Sequence, residues 1–470
     1  MSIKSLNSGD TIAGLLVDGV KETPYTGATL KMESSTGVMV EIPYVDHPEA
    51  NQFNHVAHWF KTRTPPMNLT LQTPDGEVGL FGIRWMGHRF GAGLSLGKLK
   101  PRETLLGEYD GNLDEPLLVD KARSRIDGLA EWTSLKSLDV LPESDDQGLL
   151  KQLTINAKPV DGGTWNQGEA TMQFVSEWRT SLPDKTTKRG LNIDEDVVLV
   201  SQFPTPRTFR EHLAEQRKVV HLLTLVSGLP IHFREHKVTS PGIVTRSLAG
   251  TVLDHPNSPL ISGDTVQDYA HPAPASNDFN LLLASFDQLG IKGMKSWSEN
   301  YDRWSKFILP AVGLLGRSRP FAEDVVNTLS MSIEAAGHLI GKRAGEECTY
   351  AGKKLVTSTY VFRCLDVVGV HWGEIAPNYE GLARGIGKTY NATKHFNEGK
   401  YPDAEVLYLV SAVIRYIVRL LALHLADETG ALLAAFKKEG ALLRLKNLHK
   451  HYGVSFDAKG NVVPYQEGIV

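Results

Sequence analysis

The longest apolar periodic stretch in the chain constrains it most. It opens at Pro402-Asp403, two residues suited to a first helical turn, and runs through Val406, Leu407, Leu409, Val410, Val413, Ile414, Ile417, Val418, Leu420, Leu421 and Leu425 to Asp427-Glu428-Thr429-Gly430, where glycine can close a helix. The spacing predicts one long helix with an apolar face that seeks a core. Tyr408, Ser411, Arg415 and Arg419 form a polar stripe on the same rod. Val406 to Ala426 is long enough to cross a bilayer, but Arg415, Arg419 and His424 would be costly in lipid. A buried bundle helix is expected instead, with no membrane contact.

Around it the chain changes period once. Up to about residue 205 short alternating runs are separated by turn chemistry, which argues for strands. Ala28, Leu30 and Met32 alternate with polar residues, Ser34-Ser35-Thr36-Gly37 turns the chain, and Val38, Val40 and Ile42 alternate again. A second hairpin is written in Leu69-Thr70-Leu71, the turn Thr73-Pro74-Asp75-Gly76, and Val78-Gly79-Leu80. Further strands are expected over 153–157, 170–174 and 197–203. A turn-rich polar segment from Lys121 to Trp132 interrupts them, with Leu129, Trp132 and Leu135 as the small apolar face of a short helix. Phe209, Leu213, Val220, Leu223 and Val226 then fall at helical spacing and stop at Gly228-Leu229-Pro230, a helix that could cap the β layer.

The proline-rich stretch 251–278 is the natural connection, and beyond it helices are expected over 279–288, 296–315, 322–342 and 353–370. The expected fold class is therefore α+β. A β-rich N-terminal domain (1–270), sandwich-like with a capping helix, precedes an all-α bundle (271–450) and a small exposed C-terminal hairpin and tail (451–470).

The bulk numbers exclude little else. At 470 residues the chain should divide into two or three domains. Its net charge of -4 gives no global attraction to nucleic acid, so any such binding would need a local basic patch. Two cysteines, Cys348 and Cys364, rule out a disulfide framework or a cysteine zinc site and fit a reducing compartment. The first seven residues lack the apolar run of a signal peptide, so a cytoplasmic location is expected. The histidines at 232–236 and 449–451 lack partner ligands, and neither metal nor cofactor is expected.

Chemistry concentrates just before the long helix, in the polar segment Arg384 to Phe396. Its Gly387-Lys388-Thr389 lacks the preceding glycine and strand of a phosphate loop. Lys388, Asn391, Lys394 and His395 are the cluster of interest. Asn391 and His395 are four apart and Lys388 and Asn391 three apart, so all three share a face if the segment is helical. Histidine moves protons near neutral pH, lysine stabilises a crowded phosphate and asparagine orients either, which are the parts of a metal-free ribonuclease. The bland alternative is a solvated turn between helices. Glu334 and His338, also four apart, could form a polar pair in the bundle interior. Arg384, Arg415 and Arg419 could hold phosphates or simply solvate a helix face.

In order along the chain, several stretches resemble the anti-phage ApeA family. They are Val38 to Ile42, Leu129-Ala130-Glu131-Trp132, the helix ending Leu222 to Pro230, Asn327 to Ala335, and Tyr390-Asn391-Ala392-Thr393-Lys394-His395. The helical half resembles a HEPN domain. That resemblance implies an all-α bundle that dimerises, setting two Arg-x4-6-His motifs across an RNA groove. It also implies metal-independent RNA cleavage, tRNA being one candidate substrate, in abortive defence set off by a phage-derived trigger that the N-terminal domain senses. Asn391 matches the motif asparagine and His395 the motif histidine. Tyr390 stands where the arginine belongs, and Lys388 is the cation at the longest allowed spacing. Two readings stay open: an endoribonuclease with His395 as acid and base, Lys388 as phosphate stabiliser and Asn391 as orienter, or a non-catalytic module that binds RNA or protein. Lys394, Arg384, Arg415 and Arg419 are the RNA-contact candidates in both.

Overall fold

A computed structural model describes residues 5–34, 36–47, 51–181, 191–247, 250–395, 401–427, 429–438 and 440–465. Ser35 of the first expected turn, Phe396 of the polar segment, Glu428 after the long helix and the first four residues of the chain lie outside them. The chain divides into two compact units, one of residues 1–130, 135–216 and 232–273, the other of residues 131–134, 217–231 and 274–470. A β-rich region is thus followed by an all-helical one, as the change of period requires.

Among the described residues of the first unit, fourteen strands join one sheet. From one edge these are Val160–Gln167, Ala170–Ser181, Asn192–Thr208, Leu118–Ile126, Phe233–Thr239, Ser258–Ser262 and Glu103–Leu106. The order continues Gly76–Phe81, Asn68–Thr73, Thr11–Val17, Thr26–Glu33, Gly37–Tyr44, Ser95–Lys100 and Arg84–Arg89. Both expected hairpins are present in the register that alternation demands. Leu30 faces Val40 and Met32 faces Val38, while Leu69 faces Leu80 and Leu71 faces Val78. All eight side chains are buried, so a one-residue slip would turn that apolar set to water. The 150–157 strand pairs with Leu138–Ser144 in a separate two-stranded ribbon.

The polar segment at 121 corrects the sequence reading. Lys121 to Ile126 belongs to a central strand, and the helix there is confined to Leu129–Thr133. The strand hides because its inward positions, Ala122 and Ser124, are small, while Lys121, Arg123 and Arg125 point outward, Arg123 paired with Glu177 and Arg125 with Asp196 and Glu235.

The Phe209–Ser227 helix lays its first turns on this sheet through His212 and Gln216, both fully buried. Their side chains join one buried hydrogen-bond network. His212 Nε2 donates to the Val119 carbonyl (3.1 Å), while Nδ1 lies 3.0 Å from the Ser201 hydroxyl and 3.2 Å from the Ser201 carbonyl. Gln216 Nε2 donates to Ser201 (3.1 Å), and its Oε1 accepts from Ser124 (2.5 Å). His236 Nδ1 then donates to Ser124 (2.7 Å), and its Nε2 accepts from Thr265 (2.8 Å). Burial pushes the His212 pKa down.

The second unit is built on Phe286–Tyr301, Ser305–Leu315, Ala322–Ile340, Thr357–Val368, Tyr379–Lys394 and Ala404–Ala426. Two expected helices move. The one placed over 279–288 begins instead at Phe286, because Ser285 and Gln288 form a reciprocal cap there. The one placed over 296–315 is broken at 302–304. Ala404–Ala426 is the bundle's core rod: it has the length and composition to cross a membrane, and 78% of its most apolar window is buried. The C-terminal strands Val454–Phe456 and Val462–Pro464 do form a hairpin, but it is docked rather than exposed, with the Phe456 side chain buried.

Candidate functional site

The segment read as a polar loop is the interior of the Tyr379–Lys394 helix, whose N-terminus is capped by Asn378 accepting from the Gly381 amide (2.8 Å). Its glycines explain why it looked loop-like. A Cβ at Gly387 would overlap the Ser358 hydroxyl, one at Gly385 would lie 2.6 Å from the Phe456 ring, and one at Gly381 would overlap the Asp457 carbonyl. The glycines therefore let the Thr357–Val368 helix and the C-terminal hairpin approach at backbone distance. Gly387-Lys388-Thr389 lies within this helix.

With Gly381, Leu382, Ala383, Gly385, Ile386, Gly387, Thr389, Tyr390 and Thr393 buried, the long polar side chains make one outward stripe. Arg384, Lys388, Asn391 and His395 follow each other at spacings of four, three and four, so they share a face. Lys388, Asn391, Lys394 and His395 are exposed and Arg384 is half-buried.

Each group has its own engagement. Lys388 Nζ donates to the Asn461 side-chain oxygen (2.6 Å) and the Lys459 carbonyl (3.0 Å) at the tip of the C-terminal hairpin. Arg384 pairs with Glu380 (3.0 Å) and donates to the Cys348 carbonyl. Lys394 donates to the Tyr390 hydroxyl (3.2 Å) and lies 5.2 Å from that ring, and the hydroxyl together with nearby Glu334 raises its pKa. His395 ends the helix, its amide donating to the Asn391 carbonyl (2.9 Å). Among the described residues no side-chain hydrogen bond engages the His395 ring or the Asn391 amide.

The remaining candidates lie elsewhere. Arg419 is buried, donating to the carbonyls of Leu225 (3.1 Å), Val226 (2.8 Å) and Leu281 (3.1 Å), so it closes the C-terminal end of the Phe209–Ser227 helix. Arg415, one turn earlier, is half-buried, and desolvation lowers its pKa. Glu334 accepts from Thr357 and is half-buried, whereas His338 is exposed with its ring 6.5 Å from Tyr360. The expected interior pair is thus not an interior pair: the Thr357 hydroxyl takes the carboxylate, and the next helical turn carries His338 to the surface.

Sequence reasoning missed four supporting residues. Tyr390 holds Lys394, Asn327 accepts from Thr393 (2.7 Å), Ser358 packs under Gly387, and Asn461 holds Lys388. The first signal was available, since an aromatic four residues before a lysine on a helix predicts this contact. It also missed a buried ion pair nearby. Arg363 grips Glu346 with two bonds (2.7 and 2.8 Å), and that bond, reinforced by the Arg343 amide and the Tyr350 hydroxyl, pulls the Glu346 pKa down to about 2.

A family model described as ApeA N-terminal domain 1 matches residues 29–299, more than half of the chain. The chain belongs to the ApeA family. The ApeA match begins within the Thr26–Glu33 strand and ends within the Phe286–Tyr301 helix, so it spans the β-rich unit and the start of the helical one. Of the stretches that carry the ApeA likeness in the sequence, Val38 to Ile42, Leu129 to Trp132 and Leu222 to Pro230 fall inside it. No curated protein and no solved structure matches the chain.

Proposed function

We propose that this ApeA-family chain acts in anti-phage defence in the cytoplasm, and that its helical unit is a HEPN-type module contacting RNA through the outward face of the Tyr379–Lys394 helix. The observation that carries the reading is the exposed run Lys388, Asn391, Lys394 and His395, which sets two cations and two hydrogen-bonding side chains on the last two turns of one helix. Such a face can follow a phosphate backbone, with lysines as point charges and the asparagine and histidine as bonding partners.

Binding is the better-supported mode. Lys388 and His395 are seven residues apart, about 10 Å of helical rise, and Lys388 already spends two donors on the hairpin. Arg419, the guanidinium that might have replaced the missing motif arginine, is committed to three backbone carbonyls. A second reading, metal-independent RNA cleavage, rests on His395: its ring is exposed at a helix end. In that reading a second copy of the chain, docked through the helical unit, supplies the missing cation.

Incubating the purified chain with total cellular RNA in EDTA, beside His395→Ala, tests both modes. Retention of RNA without new ends is expected from the parent and, more weakly, from the variant. New 2′,3′-cyclic phosphate ends made by the parent alone would establish cleavage. Failure to retain RNA at low salt would overturn the binding reading.

A further inference from the structure

The tip of the hairpin formed by Val454–Phe456 and Val462–Pro464 meets the Tyr379–Lys394 helix at backbone distance. A Cβ at Gly460 would lie 2.5 Å from the Arg384 Cβ and from the Gly385 nitrogen, and one at Gly381 would overlap the Asp457 carbonyl. The buried Phe456 ring fills the space that Gly385 leaves. Close packing therefore docks the hairpin before any polar contact is counted.

The polar groups at the tip follow one order. The Asp457 carboxylate takes the backbone amides of Lys459 and Asn461 (both 2.8 Å) on one oxygen and the Asn461 side-chain nitrogen (2.9 Å) on the other. Those bonds, with Asn461 foremost, hold the Asp457 carboxyl below the usual carboxylate range, so it is ionised. A carboxylate can only accept, so the Asn461 side chain turns its nitrogen to Asp457 and its oxygen to Lys388, whose Nζ donates to it at 2.6 Å. The Lys459 carbonyl accepts a second N–H of that ammonium at 3.0 Å.

An amide thus stands between a carboxylate and an ammonium. Lys388 makes no ion pair among the described residues, so its charge is aimed without being neutralised. If pinning the hairpin were the only task, a carboxylate at 461 would pin it more firmly, because charge-assisted bonds are the stronger ones. Lys388 stays exposed, and the hairpin takes two of its three N–H groups. The third is left for an anion on the outward face, one turn from Asn391. Holding the lysine in one orientation also removes part of the ordering entropy that phosphate contact would otherwise cost.

We propose that Asp457 and Asn461 are positioning residues for RNA contact: through Lys388 they hold a charged, oriented N–H donor for a phosphate, which makes the C-terminal hairpin part of the RNA face. The inference rests on the RNA reading of that helix face.

The test uses the full chain and a labelled 20-nucleotide single-stranded RNA, with anisotropy read across a salt series. Asn461→Asp keeps an acceptor in place and should leave the melting temperature unchanged or higher. It should nonetheless weaken binding about fivefold and flatten the salt slope by about 0.7, the share of one phosphate contact on a single strand. Lys388→Gln should lose the same slope, and the two changes together should lose no more than Lys388→Gln alone. A slope lost in Lys388→Gln and kept in Asn461→Asp would overturn this inference while leaving the RNA face standing, as would a further loss when the two are combined. A parent chain that binds no RNA, or a slope indifferent to Lys388→Gln, would overturn both.

Discussion

The Lys388 ammonium donates to the Asn461 side-chain oxygen at 2.6 Å across 73 positions of sequence, tying the outward face of the Tyr379–Lys394 helix to the C-terminal hairpin. Asn461→Ala leaves Lys388 only the Lys459 carbonyl. Because the bond is exposed, the expected loss is below about 1 kcal/mol. The sensitive readout is hydrogen exchange, which should quicken over 454–464 and stay unchanged in the Ala404–Ala426 helix.

Gly387→Ala should destabilise the chain by about 1–3 kcal/mol, because the new methyl overlaps Ser358. Helix propensity alone predicts the opposite sign, a gain of up to about 1 kcal/mol. Thermal melting therefore separates the two accounts. Adding Ser358→Ala should recover only part of the loss, since the Ser358 amide nitrogen would still lie 3.2 Å from the new methyl.

These two positions show what was legible in the sequence. The periods of two and 3.6 gave the strands, the hairpin registers and the long helix, because each side chain's burial there is set by its own strand or helix. The Lys121 strand was lost because Ala122 and Ser124 are too small to mark an inward face. The 381–387 glycines read as loop chemistry because their cause, close approach by Ser358, Phe456 and Asp457, lies far away in sequence. The face bearing Lys388, Asn391 and His395 was legible from spacing alone. That Arg419 serves a helix end was not, since its carbonyl partners lie 138 to 194 residues away.

Arg419→Lys keeps the charge but loses the planar fork that reaches three carbonyls. It should lower the melting temperature by several degrees, and Arg419→Ala should lower it further, with a loss of stability of about 3 kcal/mol or more. A variant that lost RNA binding at full stability would place Arg419 at the RNA surface instead.

His221 bonds to the Tyr301 hydroxyl at 2.6 Å, and burial lowers its pKa to about 4. The unfolded chain, with histidine at its ordinary 6.5, binds the proton first. Stability from this group is therefore complete above pH 6.5 and is lost as pH falls toward 4, on the order of 3 kcal/mol in all. Urea unfolding between pH 7 and 5 should show this slope in the parent and a shallower one in His221→Gln.

Glu346 supplies a separate acid window. Its carboxyl is held near 2 chiefly by Arg363, so its stabilisation is present above about 4.5 and is lost as pH falls from there toward 2. Arg363→Ala should cost about 3–5 kcal/mol at neutral pH by leaving a buried carboxylate unpaired. Part of that loss should be recovered by adding Glu346→Gln.

The most direct test of the functional account is to photocrosslink 4-thiouridine-substituted RNA to the full chain in EDTA and map the joined peptides. Contact through the last turns of the Tyr379–Lys394 helix predicts crosslinks within 384–395, weakened in Lys388→Gln/Lys394→Gln/His395→Gln. Efficient crosslinking elsewhere with none in 384–395 would contradict it.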